Sequence, residues 1–201
     1  MPKESQSRVV LLVPFAFLAA IAAGCGPTAA ARFYTLDATA TAGTAPPTRT
    51  SVLVGPVSVP AAVDRPQFVV QVAPNRVEIE EFNRWVAPLG EGIARAVAAN
   101  LSILLGTSDV AAGSLTNFTP AHRVTIDVQR FDSVLGQEVL LDAVWAVRKT
   151  ASGQVHSGRT TAREALQGDG FDALAAAHSR ALAKLSGDIA AAIRASTAGA
   201  R

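Results

Sequence analysis

The chain has 201 residues, of which 49% are hydrophobic and 17% charged, with a formal net charge of +2. One cysteine and three histidines rule out a disulfide framework and leave little for metal ligation. The balanced charge, without a basic stripe, argues against a nucleic-acid surface.

Val9 to Gly26 reads VVLLVPFAFLAAIAAGCG and follows a short basic start with Lys3 and Arg8. An apolar run of about 15 residues is shorter than the roughly 20 that span a bilayer, and small residues follow it, which is the layout of a secretory signal peptide. Ala22-Ala23-Gly24-Cys25 looks like a bacterial lipobox, with Ala22 where Leu is usual. Residues 1–24 are therefore read as a lipoprotein signal peptide and Cys25 as the acylated N-terminus. The alternatives are an ordinary signal peptide with a chance cysteine, or a short membrane anchor. Loss of Lys3, Glu4 and Arg8 takes the charge from +2 to +1, and acylation would leave no free thiol. Residues 25–31 then form a lipidated tether of small residues. An extended chain spans at most about 3.6 Å per residue, so the tether holds the domain within roughly 25 Å of the lipid surface.

The domain is placed at residues 32–196, long enough for one core. Arg32 to Leu36 is a short first strand, and Thr39 to Thr50 has the composition of an exposed loop. Ser51 to Val59 is a buried strand bent at Gly55-Pro56. Phe68 to Val72 and Val77 to Glu80 form a hairpin about Pro74-Asn75, which suits a type I turn. Alternation in the second arm predicts one buried apolar face and one wet acidic face.

Leu89, Ile93, Val97, Leu101 and Leu104 give a helix over Ala87–Leu105 its apolar face, with Pro88 in the first turn and Gly106 as C-terminal stop. Gly90 and Gly92 are expected to let the hairpin approach closely. Ser108 to Ala112 is a candidate short strand. Arg123 to Phe131 alternates, except that Phe131 falls out of phase and hints at a bulge. Glu138 to Arg148 is apolar on both faces apart from Asp142 and belongs in the middle of a sheet. Gln154 to Leu166 is polar and belongs at an edge. Asp172 is the expected N-cap of a last helix buried through Leu174, Leu182, Leu185, Ile189 and Ile193, with residues 197–201 as a frayed tail. The fold class is α/β: a single domain with a mixed β-sheet of about six strands, packed by two long α-helices and ending in an antiparallel meander.

No nucleophile elbow, P-loop, zincin or dinucleotide motif is present. His122, His156 and His178 share no ligand spacing, and His178 is read as structural, at the margin of the core. Asp142 is expected to pair with Arg130 or Arg148. Neither a catalytic set nor a cofactor or metal site is assigned. Arg65-Pro66 and Arg84-Trp85 flank the hairpin and are the candidate partner-binding residues, since Arg and Trp are common interface anchors. The opposing reading has Trp85 closing the core and Arg84 solvated.

Several separated runs carry a resemblance. They are Phe33-Tyr-Thr-Leu36, Val54-Gly-Pro-Val-Ser-Val-Pro60, Asp64-Arg-Pro-Gln67 with Arg76, Glu81-Phe-Asn-Arg-Trp-Val-Ala-Pro-Leu89, Val128-Gln-Arg-Phe131 and Leu140-Leu-Asp-Ala-Val-Trp145. In this order they resemble the ABC-type transport auxiliary lipoprotein family over about Phe33 to Ile193. The resemblance implies a non-enzymatic outer-membrane lipoprotein facing the periplasm, held to the membrane by its lipid anchor. Its implied partners are a mammalian-cell-entry (MCE) domain protein and an ABC transporter permease and ATPase that move lipids or other hydrophobic molecules between membranes. It leaves a homo-oligomer open, as it does a lipoprotein binding the apolar ligand itself, or a structural envelope lipoprotein. Gly26, where Asp would signal inner-membrane retention, agrees with outer-membrane sorting.

Overall fold

The computed structural model describes residues 29–113 and 117–198. The expected signal peptide, Cys25 and the last three residues lie outside the described residues. The unit from Ala31 onward runs β1 (Arg32–Tyr34), β2 (Val52–Ser58), β3 (Gln67–Ala73), β4 (Arg76–Trp85), α1 (Leu89–Leu105), β5 (Val110–Ala112), β6 (His122–Val134), β7 (Glu138–Lys149), β8 (Val155–Ala165) and α2 (Gly170–Ala198). The sheet is mixed and has eight strands rather than about six. The short runs expected at Arg32–Leu36 and Ser108–Ala112 both join it, as β1 and β5, each held by a single partner strand.

Strand β6 organises the sheet. Its His122, Val124, Ile126 and Val128 are buried at every second position, as period-two geometry requires. The pairing with β7 then slips between Val128 and Arg130. The extra residue, Gln129, shifts the phase, so that Phe131 and Ser133 continue the buried face; this is the expected bulge. Antiparallel β7 covers one edge of β6, and β8 follows beyond it. Two strands share the other edge. Parallel β2 pairs with Val52 to Ser58 against His122 to Asp127, and β3 touches it where Gln71 meets Val134. The sheet therefore forks. One branch continues to β5, and the other continues through β3 and β4 to β1 as a wing.

Both helices cover one face. Ile93, Val97, Leu101 and Leu105 of α1 meet Leu174, Leu182, Leu185, Ile189 and Ile193 of α2 in the same core, all without exposure. Each such burial stabilises by about 1.5–3 kcal/mol. Leu105 takes the place expected of Leu104, which is only partly buried. Gly106 adopts the left-handed conformation at φ 65° and ends α1 as expected. Helix α2 begins at Gly170, which puts Asp172 inside its first turn, where the carboxylate favours the positive helix end. It runs through Ser196, whose hydroxyl bonds His122 Nε2 at 2.9 Å and Ile193 O at 2.7 Å. Those bonds fix the turn just before the expected tail, and the helix continues to Ala198.

Two local expectations change. A Cβ on Gly90 would meet Val57 O at 3.1 Å, and one on Gly92 would meet Leu36 Cδ1 at 3.6 Å. The glycines thus admit β2 and the segment after β1, not the hairpin. Residues 37–49 are mostly exposed but fastened as a strap over the two helices, and Thr50 is buried. Asn100 Oδ1 accepts the N–H groups of Thr39 and Ala40 at 3.0 and 2.9 Å. Ser179 Oγ accepts that of Asp37, and Arg194 donates to Pro46 O and Leu104 O.

Candidate functional site

The wing brings the candidate residues to one corner. In the β3–β4 pairing Phe68 lies opposite Glu80, yet Gln67 lies opposite Arg84. Glu81 to Asn83 thus arch between two stretches of regular pairing. Beyond the arch, Asn83, Arg84 and Trp85 align in parallel with Arg32, Phe33 and Tyr34. The Trp85 N–H donates to Pro66 O at 2.6 Å, which joins Arg65-Pro66 to Arg84-Trp85.

The four residues play different parts there. Trp85 is 7% exposed and faces the core, where it stacks on Phe68 with ring centroids 4.0 Å apart. Pro66 is exposed and Arg65 half-buried, with the Arg65 Nε buried and without a hydrogen-bond partner. Arg84 donates through Nε to Glu81 O at 2.7 Å and reaches the Glu81 carboxylate at 3.4 Å, a weak surface pair. Neighbouring residues of a strand point to opposite faces. With Tyr34 and Trp85 turned inward, Phe33, Arg84 and Val86 are turned outward.

That outer face is apolar. Phe33 is 62% exposed, Val86 59%, Val77 57%, Phe82 46% and Ile79 45%. Val77 and Ile79 were expected on a buried face. They lie opposite Gln71 and Val69 on the side away from Phe68 and Val70, and nothing among the described residues covers them. Sequence reading passed over Phe33, Phe82 and Val86. The usable signal was Phe33 beside Tyr34, since a strand buries only one of two adjacent aromatics.

Among the clefts at the surface, two flank α1. One of about 300 Å³ lies between the exit of β1 and α1, among Tyr34, Leu36, Trp85, Val86, Leu89 and Gly92. The other, about 700 Å³, is bounded by Gly55 to Val59, Asp64, Pro88, Glu91 and Arg95. Both lie between strand residues and α1, while core side chains such as Leu101, Leu182 and Leu185 are fully buried.

The titratable groups are held structurally. His122 Nδ1 bonds Thr50 Oγ1 at 2.8 Å, and burial, then the charge of Lys149, lowers its pKa. Asp142 pairs with neither expected arginine. Arg130 bonds Asp132 and Arg148 bonds Gly153 O, while Arg159 grips Asp142 with two bonds of 2.8 and 2.6 Å and holds its carboxyl below the usual range. For Glu164, burial pushes the pKa up, but the bonds from Lys184 and Arg180 outweigh it and the net shift is downward. Among the described residues, no His, Cys, Asp and Glu group of three is placed to hold a metal ion, and no helix is long and apolar enough to cross a membrane.

His178 lies inside the core rather than at its margin. Its ring stacks on Phe131 at 3.8 Å and its Nε2 bonds Ser133 Oγ at 2.8 Å. Burial lowers its pKa from 6.5 to about 3. The unfolded chain then takes up a proton that the native state refuses, so stability falls as pH drops from about 6.5 toward 3. His122, its pKa also lowered, adds a smaller loss in the same window, and the carboxylates Asp142 and Glu164, with lowered pKa, add losses below about pH 5. We expect denaturation midpoints measured between pH 7 and 4.5 to decline, and His178→Gln to flatten that decline. An equally steep decline in the variant would contradict this assignment.

The chain is thus a mixed α/β domain with clefts open at its surface and an apolar strand face exposed on its wing. The chain belongs to the ABC-type transport auxiliary lipoprotein component family, whose family model matches residues 34–190. Two solved structures share the fold. An uncharacterised protein is 22% identical with a TM-score of 0.66, over 82% of this chain and 99% of the other. A DUF330 protein of Xanthomonas campestris is 20% identical with a TM-score of 0.62, over 79% of this chain and 92% of the other. No curated protein matches the chain.

Proposed function

We propose that the protein is carried by acylated Cys25 on the periplasmic face of the outer membrane, where it docks an MCE-domain protein. That protein in turn works with an ABC permease and ATPase to move lipids or other hydrophobic molecules between the two membranes. The observation that carries this reading is the family match over residues 34–190, which begins shortly after a lipobox-like Ala22-Ala23-Gly24-Cys25. Membership makes the chain a transport auxiliary component. The outer membrane, the MCE partner and the lipid cargo are our extension of it. Gly26 in place of a retention Asp supports the outer membrane.

The role is positional, not enzymatic. Acyl chains fix the domain at the membrane, and the domain presents a surface to a component that spans the periplasm. More than one chain is needed for this, because a single acyl chain gives only marginal anchoring. A carrier role for the domain itself finds less support. Leu101, Leu141, Leu182, Leu185 and Ile193 are fully buried in the core, and the clefts beside α1 open at the surface, where an apolar cargo would not be shielded from water.

Cys25→Ala tests the anchor. Mass spectrometry of the wild-type N-terminal peptide is expected to show residue 25 as N-terminal and acylated, and the protein to fractionate with outer membranes. The variant is expected to lose the acyl mass and leave that fraction. Unmodified wild-type Cys25, or a variant that stays in the outer-membrane fraction, would contradict the reading.

A further inference from the structure

We infer that the outer face of the wing, built on Phe33, Phe82 and Val86 with Arg32 and Arg84 beside them, rests on the lipid surface to which the chain is tethered. The inference builds on the reading of Cys25 as acylated.

Three observations carry it. The first is concentration. Among the described residues ten large apolar side chains are exposed, and Phe33, Val77, Ile79, Phe82 and Val86, five of the ten, belong to the outer face of the wing or adjoin it, while Val72 lies on the side of Phe68 and Val70. Scattered exposed apolar residues need no explanation, but a contiguous group marks a contact surface. The pairing of Phe33 with Arg84 and the bond from Val86 N–H to Tyr34 O at 3.0 Å make Phe33, Arg84 and Val86 neighbours.

The second is reach. Phe33 is eight residues beyond Cys25, and at about 3.6 Å per residue its Cα lies within roughly 29 Å of the anchored residue even when the chain is straight. Strand β1 is the first element after the tether, so its surroundings are the part of the domain least able to leave the membrane.

The third is chemistry. Aromatic rings at the boundary, flanked by long basic side chains that keep their charge in the headgroup layer, suit an anionic lipid interface. Arg32 is exposed at the start of β1. Arg84 keeps its Nε on Glu81 O at 2.7 Å, but its terminal nitrogen meets the Glu81 carboxylate only at 3.4 Å on the surface and is open to a phosphate. Trp85, stacked on Phe68 behind them, keeps the strand stiff. The contact fixes orientation more than affinity, since the acyl chains already hold the protein. It also turns the side of the sheet carrying α1 and α2 away from the lipid. Arg84, the outward-facing member of the candidate corner, then meets lipid in place of a protein partner, with Trp85 in the core behind it.

The test uses full-length lipidated protein in vesicles of phosphatidylethanolamine and phosphatidylglycerol. Acylation consumes the only native thiol, so Phe33→Cys and Phe82→Cys each offer one site for an environment-sensitive fluorophore. Ser157→Cys, exposed on β8, serves as reference. Lipids carrying a spin-label quencher in the upper acyl chain are expected to quench positions 33 and 82 several-fold more than position 157. Equal quenching at all three sites, with acylation confirmed by mass, overturns the membrane contact and leaves the anchor standing. Labels at 33 and 82 that escape the lipid quencher but become shielded when an MCE-domain protein is added overturn it in favour of protein docking. Absent acylation in the wild type removes the anchor, and the inference falls with it.

Discussion

Replacing Phe68 by alanine is expected to cost about 3–5 kcal/mol of stability, the range for a buried phenyl ring that leaves a cavity. Phe68 is 1% exposed. It stacks on Trp85 of β4, and meets Tyr34 of β1 and Phe171 of α2 edge-on with centroids 5.3 Å away in each case. Trp85 continues to Phe131 of β6, and Phe131 to His178 of α2. One ring therefore joins strands of the wing to the central strand and the long helix. Its neighbours are fixed in separate elements and cannot close over the hole, which places the cost high in the range. Phe68→Leu keeps most of the volume and is expected to cost under about 1.5 kcal/mol. Urea unfolding followed by tryptophan fluorescence measures both. The wing should also loosen, so trypsin is expected to cut Phe68→Ala at Arg76 faster than the wild type. A loss below about 1 kcal/mol with unchanged cleavage would mean that the ring does not tie the wing to the core.

Gly158→Val is the second large loss, and its cause is opposite: too much volume. Gly158 of β8 lies across from Trp145 of β7. A Cβ there would stand 2.9 Å from Trp145 Cε2 and Cη2, and closer still to Cζ2. The indole cannot swing aside cheaply. It is 8% exposed, and its N–H donates to Thr160 Oγ1 at 3.0 Å, whose own hydroxyl donates to Asp188 at 2.6 Å. Overpacking of this kind costs about 1–3 kcal/mol, occasionally more. Removing a glycine from the unfolded chain returns only about 0.4–1 kcal/mol, so the clash wins. Gly158→Ala is expected to lose less than Gly158→Val. Combining Gly158→Ala with Trp145→Leu is expected to cost less than the sum of the two, because the smaller side chain makes room. Additive losses would show that the glycine is there for another reason.

The sequence made some of this fold readable and hid the rest for physical reasons. Period-two burial in β6 and the five apolar anchors of α2 were visible because each is set by the residues of one element. Even the bulge showed, since Phe131 falls out of step with Val124, Ile126 and Val128. The partner of Asp142 did not show. Arg130 lies directly across from it in the ladder, but that arginine turns to Asp132, and Arg159 reaches in from β8. The choice depends on how three strands lie together, which no single run of residues records. Residues 37–50 have linker composition, but Asn100, Ser179 and Arg194 fasten them through backbone groups that composition does not register. The alternation Val77-Glu78-Ile79-Glu80 gave the pleat correctly and the burial incorrectly, because burial depends on what lies above the face. For the candidate corner, the sequence supplied the four residues flanking the hairpin, and the arch at Glu81 to Asn83 brings them together. The outward-facing Phe33, Phe82 and Val86 become a surface only once β1 is paired beside β4.

Docking to a transport component is the centre of the account, and affinity purification of the lipidated protein from detergent-solubilised, crosslinked envelopes tests it most directly. Mass spectrometry of the captured material is read beside a Cys25→Ala control. An MCE-domain protein, its permease and its ATPase are expected with the wild type, and their loss or strong depletion with the unanchored variant. Repeated recovery of acylated protein without any transporter component would contradict the docking role.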